Sequence, residues 1–97
     1  MDRTIDFLTD LEAIIQSRLT SGSDDSYVKG LVDSGIDRVL KKIGEEAGEV
    51  IIAAKNKDKE ELLNESADLV FHLMVVLSAQ GYRLSDVVSV LKSRHDS

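Results

Sequence analysis

A chain of 97 residues with 42% hydrophobic and 31% charged residues has the size and composition of one globular domain, so residues 1–97 are read as a single unit. It contains neither proline nor cysteine, which frees its helices from forced kinks and removes disulfides, thiolate nucleophiles and cysteine-based zinc sites. The formal net charge of −6 disfavours nonspecific contact with nucleic acid or an anionic membrane. It leaves room for a phosphorylated ligand wherever a divalent metal inverts the local charge.

In chain order, Ile5, Leu8, Leu11, Ile14, Ile15 and Leu19 recur at helical spacing, predicting a first helix that ends near Leu19, before the small and acidic residues 20–25. A short helix is expected from Ser26 to Asp33, closed by Ser34-Gly35. A long helix follows from about Ile36 to Asn56, with Ile36, Val39, Leu40, Ile43, Ala47, Val50 and Ala54 on one arc. Ile52 and Gly48 fall on its other side, which suggests either a second burying surface, as in a dimer, or a lone exposed isoleucine. The next helix starts near Lys59, with Asp58 as N-cap, Glu61 completing a capping-box pattern and Gly81 closing it. It is apolar nearly all round from Leu69 to Leu77 except for His72, and should be the central helix. A last helix from about Ser85 to Arg94 would use Ser85 as cap and Val87, Val88 and Leu91 as its core face. No strand-like alternation survives, so the fold class is all-α, a four-to-five-helix bundle. Asp2, Arg3 and Asp6 interrupt any leader-like run, and the stretch Leu69–Leu77 is far short of the roughly 20 residues of a membrane span. A soluble cytoplasmic protein is expected.

The chemistry concentrates in carboxylates. Glu46 and Glu49 are three apart on the second long helix and share a face; Glu65 and Asp68 repeat the spacing on the third. Glu-rich surface helices are common, and that is the plain alternative. Two features favour a site. Glu49 and Glu65 both lie roughly 10 Å from the connecting turn at about 1.5 Å per residue, so an antiparallel hairpin brings the pairs level. Glu65, Asp68 and His72 also form a stripe continuing into Val75, Val76 and Ala79, the pattern of a buried row with a polar section. Enclosed carboxylates need cations, and hard oxygen donors suit Mg²⁺. Glu45 points away and is expected to pair with Lys41 or Lys42. His72 is read either as a partner steadying the Asp68 carboxylate or as a buried histidine bonded to a carbonyl.

The run Glu45-Glu46-Ala47-Gly48-Glu49 followed by Glu65-Ser66-Ala67-Asp68 resembles the EExxE…ExxD signature of the MazG-like all-α nucleotide pyrophosphohydrolases. Ser26-Tyr27, the run Lys41 to Glu46, the run Ile51 to Asn56, and Ala67 to Leu73 are similar, more narrowly, to the phosphoribosyl-ATP pyrophosphatase family of histidine biosynthesis. Val28, Phe71 and Gly48 depart from that family's usual threonine, tyrosine and larger residue. The resemblance implies hydrolysis of the α–β phosphate bond of phosphoribosyl-ATP to phosphoribosyl-AMP and pyrophosphate, by a homodimer with Mg²⁺. Neither the length nor the cysteines of a fused cyclohydrolase are present, so the single-function form is expected. Glu46, Glu49, Glu65 and Asp68 would hold the metal, with Glu46 or Glu49 orienting the attacking water. Lys42 is the first candidate for phosphate binding, followed by Lys29, Arg38 and Lys55, with His72 beside the substrate site. Tyr27 would stack on a base or anchor the short helix. Two other readings remain: a house-cleaning hydrolase of noncanonical nucleoside triphosphates, and a non-catalytic helical dimerisation module.

Overall fold

The computed structural model describes residues 3–21, 27–33 and 35–96. Among them run a 3₁₀ turn (Thr4–Asp6) and five α-helices: α1 (Phe7–Ser21), α2 (Tyr27–Asp33), α3 (Ile36–Lys55), α4 (Lys59–Ala79) and α5 (Leu84–His95), with no strand. The all-α expectation holds, and most boundaries fall within two residues of those read from the periodicity. Ser26 and Ser34 lie outside the described residues.

The α3–α4 hairpin is the frame of the fold, and its turn is compact. The Asp58 N–H donates to the Ala53 carbonyl at 3.0 Å and the Lys57 N–H to that of Ala54 at 3.1 Å, so α3 ends in a Schellman motif. Lys57 occupies the left-handed position of that motif at φ 56°, where a side chain is disfavoured. Asp58 then starts α4, its Oδ1 accepting from the Glu61 N–H at 3.1 Å. The same motif closes α4, with Gly81 at φ 85°, a conformation that glycine adopts without penalty.

The covered positions of α3 include Val39, Ile43, Glu46, Val50 and Ala53, and those of α4 include Leu62, Glu65, Leu69, His72 and Val76, beside the fully buried Met74 and Val75. Both sets alternate steps of three and four, the spacing of a packed antiparallel seam. The expected arc ran to Ala54, which is exposed along with Leu40. Leu40 and Ala54 are 14 residues apart and so share one position of the 3.5-residue seam repeat, beside the inward position held by Val39 and Ala53.

The core joins Ile15 of α1, Val28 and Leu31 of α2, Val39 of α3, and Met74 and Val75 of α4. These residues lie in the first half of α3 and the second half of α4, at the end of the hairpin away from its turn. The turnward half, which carries Glu49, Glu65 and Asp68, is left outside this cluster. By length and composition α4 is apolar enough to cross a bilayer, contrary to the expectation from its short uninterrupted run; here its apolar side chains meet α3 and α1.

α5 departs most from expectation. Arg83, not Ser85, is its N-cap, with the Arg83 N–H donating to Asp86 Oδ2 at 2.9 Å. The Leu84 N–H donates to Glu12 Oε2 at 2.6 Å, tying the start of α5 to α1. Of its expected core face Val87 is half-buried, but Val88 is 53% and Leu91 50% exposed, because α5 touches the remainder of the chain only sparsely. The chain exposes 7163 Å², against about 5,500 Å² for a compact monomer of its mass.

Substituting glycine for Lys57 should relieve the left-handed side chain and raise stability by roughly 0.5–1 kcal/mol after glycine's own entropic cost. Denaturant unfolding of the two proteins at equal concentration measures this.

Candidate active site

The seam positions decide which acidic side chains are held and which reach water. Glu46, on the α3 seam, is opposite His72 on α4. The His72 Nδ1–H donates to Glu46 Oε1 at 2.7 Å and to the Asp68 carbonyl at 2.9 Å, while the Tyr27 hydroxyl lies 2.8 Å from Nε2. The His72 side chain is 6% exposed and that of Glu46 14%. Of the two roles weighed for His72, the bond to a carbonyl is present, and the carboxylate it steadies is Glu46 rather than Asp68. Both ring nitrogens are engaged within the protein, so His72 presents neither to a substrate. Tyr27 anchors α2 as well, its ring stacked on Phe71 at a centroid separation of 6.2 Å.

Glu49, Glu65 and Asp68 form a second acidic group nearer the turn. The Glu65 carboxyl is raised above the ordinary glutamate range, first by partial loss of hydration and then by the negative charges of Asp68, Glu61 and Glu49. Carboxylates of α3 and α4 therefore share one neighbourhood. Glu61 belongs to it too, since its carboxylate is near enough to add to the shift of Glu65. Sequence reasoning had assigned Glu61 to capping alone; its position one turn before Glu65 was the available signal.

The expected enclosure is not observed. Glu49 and Asp68 are exposed and Glu65 is half-buried, because the core covers only the far half of the hairpin. Among the described residues, no three acidic or histidine side chains stand together as a ready chelating group. Glu46 is held toward His72, and the like-charged neighbours point outward. The donor set nonetheless fits a hard cation: it is all oxygen, partly desolvated, and crowded enough with charge to raise one carboxyl.

Lys42 is half-buried one turn before Glu46, and Arg38 is exposed a further turn back on the same side of α3. Lys55 is exposed in the last turn of α3, about half a revolution round the helix from Glu46, and is not brought to the carboxylates. Lys29 is half-buried on α2, on the side away from Tyr27. Glu45 is exposed and, among the described residues, makes no ion pair with Lys41 or Lys42; that expected pairing is absent because Glu45 points into open water.

An all-helical chain with acidic groups on two facing helices matches the phosphoribosyl-ATP pyrophosphohydrolase family model over residues 8–95. The chain belongs to that family and is an enzyme of the hydrolase class. It is 47% identical over 91 residues to the phosphoribosyl-ATP pyrophosphatase of Leptospira biflexa, covering 94% of this chain and 99% of the relative. The enzyme of that name from Nitrobacter winogradskyi is 51% identical over 85 residues, covering 88% and 73%. The histidine biosynthesis bifunctional protein HisIE of Bacillus subtilis is 50% identical over 88 residues, 91% of this chain. The chain spans only 42% of that longer relative's length.

The raised Glu65 carboxyl sets a pH dependence. A folded-state pKa above the unfolded value means that the folded chain binds this proton more tightly, so stability falls as pH rises through the carboxylate range. Glu65→Gln removes that repulsion. In chelator, the variant should have the higher melting temperature at neutral pH, and the difference should disappear in acid, as thermal scans across pH would record.

Proposed function

We propose that the chain hydrolyses the α–β phosphoanhydride of phosphoribosyl-ATP to phosphoribosyl-AMP and pyrophosphate, the second step of histidine biosynthesis, acting as a cytoplasmic Mg²⁺-dependent homodimer. The observation that carries this reading is the group of carboxylates shared by α3 and α4 in a chain of this family. Glu49, Glu65 and Asp68, with Glu46 beside them, would hold Mg²⁺, which supplies neutralisation of phosphate charge and a stabilised leaving group.

The chain's own groups divide the remaining work. Attack at phosphorus needs a water in line with the leaving oxygen and an acceptor for its proton. Glu49 is exposed and can turn toward such a water. Glu46 has one oxygen committed to His72 and is better suited to a fixed ligand role. Lys42 and Arg38, in line along α3 with the acidic positions, supply cationic donors for the substrate's phosphates. The homodimer is supported by the open apolar side chains: Ile51 is 69% and Ile52 54% exposed on α3, and α5 buries none of its residues. The excess over a compact monomer's surface, on the order of 1,700 Å² by the mass scaling, is comparable to what a subunit contributes to a large obligate interface.

The test is a pyrophosphate-release assay on phosphoribosyl-ATP and a panel of deoxynucleoside triphosphates, with and without Mg²⁺. Turnover of phosphoribosyl-ATP only with Mg²⁺ is expected, and Glu49→Gln should lower kcat by about 10²–10⁴-fold with unchanged helical circular dichroism. Hydrolysis of the deoxynucleotides alone would favour the house-cleaning alternative. No hydrolysis of either would leave the dimerisation module.

A further inference from the structure

Tyr27 lies on a short helix far in sequence from the carboxylates, yet its hydroxyl ends a chain of hydrogen bonds that begins at Glu46. The proton positions along that chain follow from the acceptors. A backbone carbonyl only accepts, and the Asp68 carbonyl is 2.9 Å from His72 Nδ1, so Nδ1 carries a hydrogen. That hydrogen is shared with Glu46 Oε1 at 2.7 Å. In the neutral ring Nε2 is then an acceptor, and at 2.8 Å the Tyr27 hydroxyl must be its donor.

The ring is also sterically fixed. Phe71 meets His72 edge-on at a centroid distance of 5.2 Å and an interplanar angle of 80°. Tyr27 meets it at 5.9 Å and 67°. With Tyr27 stacked on Phe71, the three rings close a cluster in which the imidazole has little rotational freedom. An apolar pair would fill seam positions 46 and 72 at lower desolvation cost, so a tethered carboxylate there asks for a role beyond packing.

We propose that Tyr27 and His72 are positioning residues: together they hold Glu46 by its Oε1 oxygen and make the docking of α2 a condition for an ordered acidic site. This rests on the reading of Glu46 as an active-site carboxylate. Neither residue touches the reacting atoms; each acts through Glu46.

Two substitutions at one position separate this role from simple packing. The Asn amide nitrogen falls near the position of Nδ1, so His72→Asn keeps the donor to Glu46 and loses Tyr27. His72→Gln places its amide near Nε2 and abandons Glu46. His72→Gln should lower kcat by about 10–100-fold with little change in KM. His72→Asn, which has lost only the Tyr27 bond, should fall between His72→Gln and the wild type, at the level of Tyr27→Phe, even if both His72 variants melt at equally reduced temperatures. Equal kcat for the two His72 variants would overturn the proposal by showing a packing role alone. Long-range ¹H–¹⁵N spectra of the wild-type imidazoles in alkaline buffer give a readout independent of activity. The expected spectrum has the proton of His72 on Nδ1 in the wild type and, because both Nδ1 acceptors remain, in Tyr27→Phe as well. There only the Nε2 resonance should shift on loss of its donor, with exposed His95 as an internal reference. An Nε2–H tautomer in the wild type would overturn the relay. If wild-type protein left phosphoribosyl-ATP intact, the functional reading would fail while the spectra still decided the relay.

Discussion

Two helices packed along seams that each include a glutamate must dispose of negative charge where a simple hairpin would bury leucine. α3 and α4 do this differently at two levels. Farther from the turn, under the cover of α1 and α2, Glu46 is satisfied by an imidazole proton and kept nearly out of water. Nearer the turn there is no such cover, and Glu49, Glu61, Glu65 and Asp68 remain close enough to disfavour the ionisation of Glu65. Unrelieved repulsion of this kind is a standing cost to the folded chain at neutral pH. It is also the electrostatic condition under which a cation, or the metal shell of a polyphosphate, is bound most readily.

The same hairpin explains why the single chain looks incomplete. Its core gathers at one end, around Ile15, Leu31, Val39, Met74 and Val75, with Leu84 packed against it, and leaves Val88, Val90 and Leu91 of α5 and the outer side of α3 exposed. A radius of gyration of 14.8 Å exceeds the roughly 12.5 Å of a compact domain of this length. The one firm attachment at the start of α5, from the Leu84 N–H to Glu12, positions the helix without burying it. On the proposed reading, a second copy would cover these surfaces.

What could be read from the sequence follows from the range of the interactions involved. Helix positions were legible because the apolar period, the Asp58 cap and Gly81 are local signals. The inward face of α3 was legible to within one residue, and failed at Leu40 and Ala54 because the expected arc was drawn wider than the narrow seam that α4 covers. Val88 and Leu91 read as core because amphipathicity marks a face for burial without naming what buries it. The nearness of Glu49, Glu65 and Asp68 was legible from their spacing, whereas the expected enclosure was contradicted, since cover depends on where α1 and α2 settle. His72 was matched with Asp68 because a neighbour four residues back is visible in sequence; its carboxylate partner, 26 residues away, depends on the register of the hairpin.

That register separates two residues which the sequence treats alike. Glu46 and Glu49 share a helix face and a motif, and spacing offers no reason to prefer either for any task. Packing breaks the equivalence: the seam takes Glu46 inward to an imidazole that fixes one oxygen, and leaves Glu49 at the rim with water around it. A carboxylate that must accept a proton from water needs solvent access and rotational freedom, while one that must hold a cation against several phosphate oxygens gains from being locked before the ligand arrives. On the proposed reading, the held Glu46 and the exposed Glu49 would divide these two tasks, and the seam sets that division.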